Sequence, residues 1–324
     1  MTSRDRVSAA IEYRYPDRLP IMLEGWEWKN ANQCPENQTM NDIYHCGVGF
    51  YNEGFAAGRN IDNWHCEWLN MNPSYLGQVV GHPLADLSAL SDYRPPDPMD
   101  MSLFHAADMA ENRGDKYVVL GYISLFERLI NLRGFEELLM DIAVEADHFF
   151  IMRDMVLIYN LQLIDRLLTL NPDAIYLADD WGSQISLLIS PALWRKLFLP
   201  AYKRMIDRAR NAGKHVFFHS DGYVLPILPD LIEAGVNVFW SELGVNPIEE
   251  LRKCAVGRAA YLSLYDTQYL ERSSPDELAA HVEHCLDTLS GPQGGYIAMC
   301  DLGDSFQSRI IYNICKNRRM KPDV

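Results

Sequence analysis

The chain has 324 residues, of which 48% are hydrophobic and 23% are charged, and 29 basic against 44 acidic residues give a formal net charge of −15. This length and composition suit a folded protein with a large core and exclude wholesale disorder. The acidic excess argues against a broad surface for nucleic acid or anionic membrane, because both need Lys and Arg gathered on one face, and leaves room only for a local basic patch.

The sequence predicts neither a membrane span nor a secretory signal. The longest apolar candidate, residues 117–126, has the length of a strand and falls short of the roughly 18–20 apolar residues of a spanning helix. The opening MTSRDRVSAA is charged and lacks the apolar core of a signal peptide. The seven cysteines are an odd number and fit reduced thiols. We therefore expect a cytoplasmic protein.

Apolar segments of strand length alternate with amphipathic segments along the chain. The predicted strands are residues 19–23, 117–123, 174–178, 215–219, 236–240, 260–264 and 295–299. Such nearly continuous apolar runs are typical of parallel strands that are covered on both faces. The predicted helices include residues 191–212, which precede Gly213, residues 225–233, which precede Gly235, and residues 274–289, which open with Ser-Pro-Asp-Glu.

This alternation predicts an α/β fold, either a doubly wound sheet or a (β/α)₈ barrel. Seven strands are visible, and an eighth is expected within residues 30–110, which are irregular and rich in Trp, Asn, Gly and Pro. No linker or internal repeat divides the chain. We interpret residues 1–324 as a single TIM-barrel domain with an elaborated N-terminal region at residues 30–110.

Three potential metal ligands follow predicted strands, at the end of a barrel where active sites lie. His219 and Asp221 are two residues apart at one strand end, and Cys300 ends the last strand. Imidazole, carboxylate and thiolate are ligands of Zn²⁺, and three of them leave a position open for catalysis. The alternative is that His-x-Asp has no special role and that Cys300 is a small buried hydrophobe.

Acidic and aromatic residues follow the same strand ends. Asp179 and Asp180 are candidate catalytic residues, for acid–base chemistry or for orienting a metal ligand, and we expect one to face the pocket and the other to hold backbone. The candidate substrate-binding residues are Glu24, Trp26, Trp181, Trp240, Glu242 and Tyr265. Three tryptophans at one mouth would suit a flat ring or a quaternary ammonium, although core packing is the alternative for each.

The sequence argues against a second metal site and against three other classes of active site. His281, His284 and Cys285 share a predicted outer helix away from the strand ends, so we interpret them as a solvated or partly packed face. The sequence contains no GxGxxG after a strand, no GxxxxGK[ST] and no GxSxG, which are the motifs of dinucleotide, P-loop and serine-hydrolase sites.

Three stretches resemble the uroporphyrinogen decarboxylase superfamily. They are SRDRVSAAIEYRYPDRLPI near the N-terminus, GYISLFERLINLRGFEELLMDI, and the long run from LADDWGS to GVNVF. The resemblance covers most of residues 117–239, is weaker at both ends and does not extend over residues 30–110. It implies a TIM barrel with one of two activities, decarboxylation of a tetrapyrrole or zinc-dependent methyl transfer with a corrinoid protein.

The resemblance favours the methyltransferase branch. The decarboxylases carry arginines in a segment like RQAGRY, whereas the matching IMLEGWEWKN has none, and Glu24, Asp179, Asp180 and Asp221 would repel a polycarboxylate. The methyltransferases hold zinc with a His-x-Cys pair and a distant Cys. Here these positions are His219-x-Asp221 and Cys300, with a carboxylate in place of one thiolate.

A carboxylate ligand makes zinc a harder Lewis acid, suited to polarising an ether oxygen. We therefore predict a zinc-dependent methyltransferase that exchanges a methyl group between a small molecule and cobalamin, as methylcobalamin or Co(I) corrinoid, on a separate protein, since the chain lacks a DxHxxG corrinoid motif. An aryl methyl ether (O-demethylation) is the first candidate substrate, a quaternary amine the second and a thiol acceptor the third. The alternatives are a decarboxylase-like lyase and a ligand-binding barrel without catalysis.

Overall fold

The computed structural model describes residues 1–24, 40–47, 56–72, 76–100, 113–263, 272–301 and 306–320. The strands in chain order are β1 (Ile21–Glu24), β2 (Ile43–Cys46), β3 (Gly58–Ile61), β4 (Glu67–Asn70), β5 (Gln78–Gly81), β6 (Tyr117–Ile123), β7 (Ala174–Ala178), β8 (His215–His219), β9 (Val238–Trp240), β10 (Ala260–Leu262) and β11 (Tyr296–Asp301). Eight parallel strands, in the order β1-β11-β10-β9-β8-β7-β6-β2, form a nearly closed barrel. Strands β3, β4 and β5 form a separate antiparallel sheet.

The barrel closes between β1 and β2 through the buried Asp42. The backbone N–H of Asp42 donates to the Ile21 carbonyl at 2.8 Å, and the Asp42 carboxylate accepts the Ile21 N–H at 2.9 Å. Arg6 and Arg18 donate to the same carboxylate, at 2.8 and 2.7 Å. Two cations therefore compensate the buried charge at this seam.

Helices cover the outside of the barrel and, in the case of the first, one of its ends. They are α1 (Ser3–Ile11), α2 (Phe126–Arg133), α3 (Phe135–Ala143), α4 (Asp147–Leu168), α5 (Pro191–Leu197), α6 (Leu199–Asn211), α7 (Leu228–Ala234), α8 (Ile248–Ala255), α9 (Pro275–Leu289) and α10 (Phe306–Asn317). Within the described ranges, none of these helices combines the length and the apolar character that crossing a membrane requires.

Barrel residues alternate between the interior and the surrounding helices, as the period of two along a strand requires. Tyr176 and Phe217 belong to the interior cluster, whereas Phe218 packs with the helices. Helix α1 sends Val7 and Ile11 into the interior cluster. One end of the barrel is thus closed by apolar packing.

The predicted α/β barrel is confirmed. Each of the seven predicted strands has its counterpart, and the eighth, expected within residues 30–110, is β2. The eight barrel strands include both the first strand of the chain, β1, and the last, β11. The assignment of residues 1–324 to a single domain stays a prediction.

The prediction of one helix over residues 191–212 is wrong, because two helices, α5 and α6, occupy this segment. The break is at Phe198, whose φ is −115°. Pro200 explains it: proline has no N–H to donate, and its ring clashes with the carbonyl four residues earlier in a continuous helix. Gly213 ends the second helix with the expected positive φ, 72°.

The described part of the N-terminal elaboration is anchored to α2 by Asp62. The Asp62 carboxylate accepts the backbone N–H groups of Trp64 and Cys66 and the indole N–H of Trp68, at 2.8–3.0 Å. Arg128 of α2 lies 3.5 Å from the same carboxylate and 4.6 Å from the centre of the Trp64 ring. The small sheet is therefore attached to a helix that follows a barrel strand.

Candidate metal centre

His219, Asp180 and Asp221 meet at the carboxyl ends of β7 and β8. His219 is the last residue of β8 and points into the barrel, where its side chain is 4% exposed. Its Nε2 atom lies 3.6 Å from Asp180 Oδ1 and 3.4 Å from Asp221 Oδ1. The two carboxylates are 40% and 50% exposed. The cluster thus has a buried imidazole at its base and carboxylates open towards the barrel mouth.

Two glycines allow the loops that carry these carboxylates to touch. A Cβ atom added at Gly222, whose φ is 75°, would overlap the backbone carbonyl of Gly182. The N–H of Gly182 donates to the Asp221 carbonyl at 3.2 Å, and the N–H of Asp221 donates to Asp180 Oδ1 at 2.8 Å. Close backbone contact, which only glycine permits here, brings the carboxylates together.

The adjacent carboxylates Asp179 and Asp180 have different surroundings. Asp179 is buried and accepts the backbone N–H groups of Leu125 and Glu127, both at 2.8 Å, and the Tyr202 hydroxyl at 2.6 Å. Burial raises the pKa of Asp179 to about 7, although these hydrogen bonds lower it. Asp179 therefore holds the backbone before and within the first turn of α2, whereas Asp180 faces His219.

Glu127 is a further acidic residue at this centre, and the sequence interpretation missed it. Its carboxyl group interacts with the Asp180 side chain. Burial, and then the charges of Asp180 and Asp179, raise the pKa of Glu127 well above its ordinary value. An acidic residue in the first turn of a helix is common, so only its position just after β6 could have pointed to the site.

The charges of the cluster act on one another. Burial lowers the pKa of His219, but Asp221 and Asp180 outweigh it and raise the pKa to about 9. Burial raises the pKa of Asp180, and the pKa of Asp221 is lowered because His219 outweighs its burial. For Glu242, which accepts the Gly222 N–H at 3.1 Å, burial and Asp221 raise the pKa. A cation that binds at His219 Nε2 therefore has to displace a proton.

The aromatic rings of Trp240 and Tyr122 flank His219. The ring centres of His219 and Trp240 are 3.9 Å apart, and those of His219 and Tyr122 are 5.9 Å apart. Trp240 is half-buried and faces the interior as its position in the sequence predicts. The Tyr122 ring was not anticipated, because regular alternation along β6 would direct it outwards.

Cys300 does not join the cluster, which corrects its prediction as a metal ligand. It is paired in register with Leu23 of β1, and both side chains lie in the cluster between the sheet and the helices. Ile297 and Met299, on the opposite face of β11, are the residues that pack in the interior. The period of two along the strand therefore turns Cys300 away from the barrel interior.

The other candidate residues separate into two groups. Trp181 is fully buried behind the barrel, stacked on Phe126 at 3.9 Å and donating its indole N–H to the Tyr202 hydroxyl, so its predicted place in the pocket is wrong. Three predicted candidates lie outside the described residues: the side chain of Glu24, and Trp26 and Tyr265.

The donor set of Asp180, His219 and Asp221 fits a divalent metal ion. One ligand atom from each lies within 4.8 Å of the others, and in the described residues no other group of three or more His, Cys, Asp or Glu does so. A tetrahedral zinc ion with bonds of about 2.0–2.2 Å separates its ligand atoms by about 3.3–3.6 Å. The measured separations of 3.4 and 3.6 Å from His219 Nε2 agree with that geometry.

Comparisons with known proteins agree with this fold. A family model described as uroporphyrinogen decarboxylase (URO-D) matches residues 73–306, and no curated protein matches the sequence. Among similar solved structures, a methyltransferase from Methanosarcina mazei is 16% identical with a TM-score of 0.71, covering 97% of each chain. An endo-β-1,4-xylanase from Gloeophyllum trabeum is 11% identical with a TM-score of 0.45, covering 91% of this chain and 85% of that one. The first likeness shows a shared fold, and the second is too distant to support an argument.

Proposed function

Because the chain belongs to the uroporphyrinogen decarboxylase family, we propose that it is the metal-dependent methyltransferase type of that family, moving a methyl group between a small molecule and a corrinoid protein. The observation that carries this proposal is the cluster of His219, Asp180 and Asp221 at the carboxyl end of the barrel. This is the end where the active sites of such barrels lie. The similar structure from Methanosarcina mazei is a methyltransferase, which supports methyl transfer as the reaction class.

His219, Asp180 and Asp221 would hold the metal ion, for which zinc is the first candidate. Bound there, zinc supplies a Lewis acid that withdraws electrons from the atom carrying the methyl group. Two carboxylates balance the charge of a divalent ion, and the set contains no thiolate. One imidazole and two carboxylates are also suitable ligands for Mn²⁺ or Fe²⁺, which elemental mass spectrometry distinguishes from zinc.

The donor set favours an oxygen-bound methyl group. A thiol acceptor is best held by a soft, thiolate-rich metal site, whereas nitrogen and oxygen ligands suit a harder substrate atom such as an ether oxygen. Trp240 offers an aromatic surface beside His219 for a flat ring. We therefore propose O-demethylation of an aryl methyl ether. A quaternary amine is the second candidate methyl donor, and transfer of the methyl group to a thiol acceptor is the third candidate reaction.

Methyl transfer requires a partner, because the sequence has no corrinoid-binding motif of its own. In the proposed transfer, the methyl carbon would leave the ether oxygen, which would keep the electron pair of the broken bond as a phenolate, and the two electrons of the new bond would come from the Co(I) corrinoid as co-substrate. The partial exposure of Asp180 and Asp221 supports access to the cluster by a separate protein. A corrinoid protein is the partner that this proposal implies.

The electrostatics of the site argue against the decarboxylase alternative. The carboxylates of Asp180, Asp221 and Glu242 all interact electrostatically with one imidazole, that of His219. In the described chain, no Lys or Arg forms an ion pair with any of the three. The propionate and acetate groups of a porphyrinogen would therefore be repelled. Binding of a methoxylated aromatic without transfer to Co(I) would instead favour the ligand-binding barrel.

Metal content and methyl transfer test the proposal together. We expect elemental mass spectrometry to find about one metal ion per chain, lost in His219→Ala and retained in Cys300→Ala, a matched control because its side chain faces the helices. The metal-bound protein should convert Co(I) cobalamin to methylcobalamin, followed by absorbance, with a methoxylated aromatic as donor. Protein without metal that decarboxylates a porphyrinogen would overturn the proposal.

A further inference from the structure

Among the described residues, none supplies the His219 imidazole with the hydrogen bond that usually orients a metal-binding histidine. Its Nε2 atom faces Asp180 and Asp221, and its buried Nδ1 atom has no hydrogen-bond partner among the described residues. Metal-binding histidines almost always donate the second ring N–H to a carboxylate, a carbonyl or a water, which fixes the ring and raises its basicity. Within the described part of the chain, the contacts that hold the His219 ring are therefore contacts other than a hydrogen bond at Nδ1.

Two aromatic rings contact the imidazole instead. Trp240 is the register partner of His219 on the neighbouring strand β9, and its ring is 3.9 Å from the imidazole with 35° between the planes. Tyr122, from β6, lies 5.9 Å away at an interplanar angle of 30°. Close ring contacts of this kind restrict rotation of the imidazole about its side-chain bonds without supplying a hydrogen bond.

The position of Tyr122 depends on a bulge in β6. The register with β7 passes from Gly121 opposite Tyr176 to Ile123 opposite Leu177, so that one extra residue is inserted in β6. Tyr122 occupies that place with a φ of 145°, a strained value for a residue with a side chain. The bulge turns towards the interior a ring that regular alternation would place outside.

Gly121 makes this bulge feasible. Its φ is 111°, and a Cβ atom there would lie 2.7 Å from the carbonyl oxygen of Tyr176. The backbone is therefore strained beside the candidate metal centre. This strained conformation brings the Tyr122 ring into contact with His219. Strained backbone is retained where the surrounding structure forces it, and bulges often redirect a side chain next to an active site.

We propose that Tyr122 and Trp240 are positioning residues that hold the His219 imidazole for the metal ion, in place of a hydrogen bond at Nδ1. This inference rests on the metal site of the proposed function. It also refines that function. Because no described residue accepts a hydrogen bond from Nδ1, His219 would be a weaker electron donor and would leave a bound metal a stronger Lewis acid, as the polarisation of a methyl ether requires.

Substitutions that remove or keep the rings test this role. In Trp240→Leu and Tyr122→Leu we expect metal affinity, measured by competition with a chromophoric zinc chelator, to fall about ten- to hundredfold. The visible spectrum of the Co²⁺ form should change with it. Trp240→Phe and Tyr122→Phe keep a ring and should restore both properties towards those of the wild type. Phe217→Leu is the control, because Phe217 is buried on the same face of β8, two residues before His219.

Each outcome decides the inference. Wild-type affinity and an unchanged Co²⁺ spectrum in both Leu variants would overturn the positioning role and leave the metal site in place. Equal losses in Phe217→Leu would overturn it too, since they would reflect general loosening of the barrel. A wild-type protein that binds neither zinc nor Co²⁺ would refute the proposed function itself. Should one Leu variant fail to fold, the other and the two Phe variants give the answer.

Discussion

The Asp180 carboxylate accepts a hydrogen bond from the backbone N–H of Asp221, with 2.8 Å between Oδ1 and N. One proposed metal ligand thereby fixes the loop that carries another. Asp179, its neighbour, performs a different task, because its carboxylate accepts two backbone N–H groups at the start of α2. Of these two adjacent aspartates, Asp180 therefore belongs to the proposed metal site, whereas Asp179 stabilises the fold.

Asn substitutions should separate these two roles. Asp180→Asn keeps an oxygen that can accept the Asp221 N–H but loses the charge, so we expect weaker zinc binding with little change in stability. Asp179→Asn should keep zinc binding and lose about 1–3 kcal/mol of unfolding free energy, because an amide N–H₂ would face a backbone donor in a buried place. Chelator competition and urea unfolding measure the two effects. Identical behaviour of the two variants would contradict this division.

A second prediction concerns the contact between the loops after β7 and β8. Gly222→Ala should destabilise the protein by about 2 kcal/mol or more, since the new Cβ atom would overlap the Gly182 backbone and the φ of 75° is unfavourable for alanine. Gly213→Ala is a matched control, with a φ of 72° and open space around the Cβ position.

The control Gly213→Ala should lose only about 1 kcal/mol of unfolding free energy, which is the cost of a left-handed backbone conformation for alanine. Urea unfolding of both variants, with zinc binding measured in parallel, isolates the effect of the overlap. We expect only Gly222→Ala to weaken zinc binding, because it separates Asp180 from Asp221. Equal stability losses in the two variants would show that the loop contact has no special importance.

Much of the fold could be predicted because strands and helices leave local patterns in the sequence. Continuous apolar runs indicate the buried parallel strands. Glycines after apolar periodic segments indicate helix ends, and Gly213 and Gly235 do have the positive φ that such ends require. The helix break at Phe198 was missed, although Pro200 was visible, because apolar spacing continues across it. Strand β2 could be placed only within a range, since its four residues stand in an irregular region.

The site was harder to predict, because it depends on which way each side chain faces. His219 and Asp221 could be selected from their spacing, but the direction of Cys300 depends on the register of β11 beside β1. Tyr122 faces the interior only because a bulge reverses the alternation of β6. Such reversals have no signal in local apolar patterning, which is why these residues were assigned wrongly or missed.

His45 provides a prediction of pH dependence. Burial lowers the pKa of its imidazole to about 4, although the hydrogen bond with the Gly121 carbonyl raises it. The unfolded chain, with an ordinary pKa near 6.5, binds the proton more readily between these values. Stability is therefore complete above pH 6.5 and falls as the pH decreases from 6.5 to 4.

Between pH 7.5 and pH 5 this group should lower the unfolding free energy by about 2 kcal/mol. His45→Gln retains an N–H donor for the Gly121 carbonyl and has no titration in this range. We expect urea unfolding at the two pH values to show a smaller decrease in this variant than in the wild type. An equal decrease in both proteins would assign the acid sensitivity to other groups.

The last prediction concerns the charge of the methyl donor and rests on Glu242. This half-buried carboxylate accepts the Gly222 N–H at 3.1 Å, beside the proposed ligand Asp221. Because Asp180 and Asp221 would balance a divalent ion, the charge of Glu242 remains to repel an anionic donor. Neutral methoxybenzenes should therefore be better donors than methoxybenzoates of the same substitution pattern.

Glu242→Gln keeps an oxygen for the Gly222 N–H and removes the charge. It should raise the kcat/KM for the methoxybenzoate relative to the neutral ether about tenfold, since a unit charge a few ångströms away is worth about 1–2 kcal/mol in a partly solvated site. Glu249→Gln, an exposed carboxylate on α8, gives the same change in net charge away from the mouth and should leave the ratio unchanged. If both variants shift the ratio equally, the preference comes from the overall charge of −15 and not from Glu242.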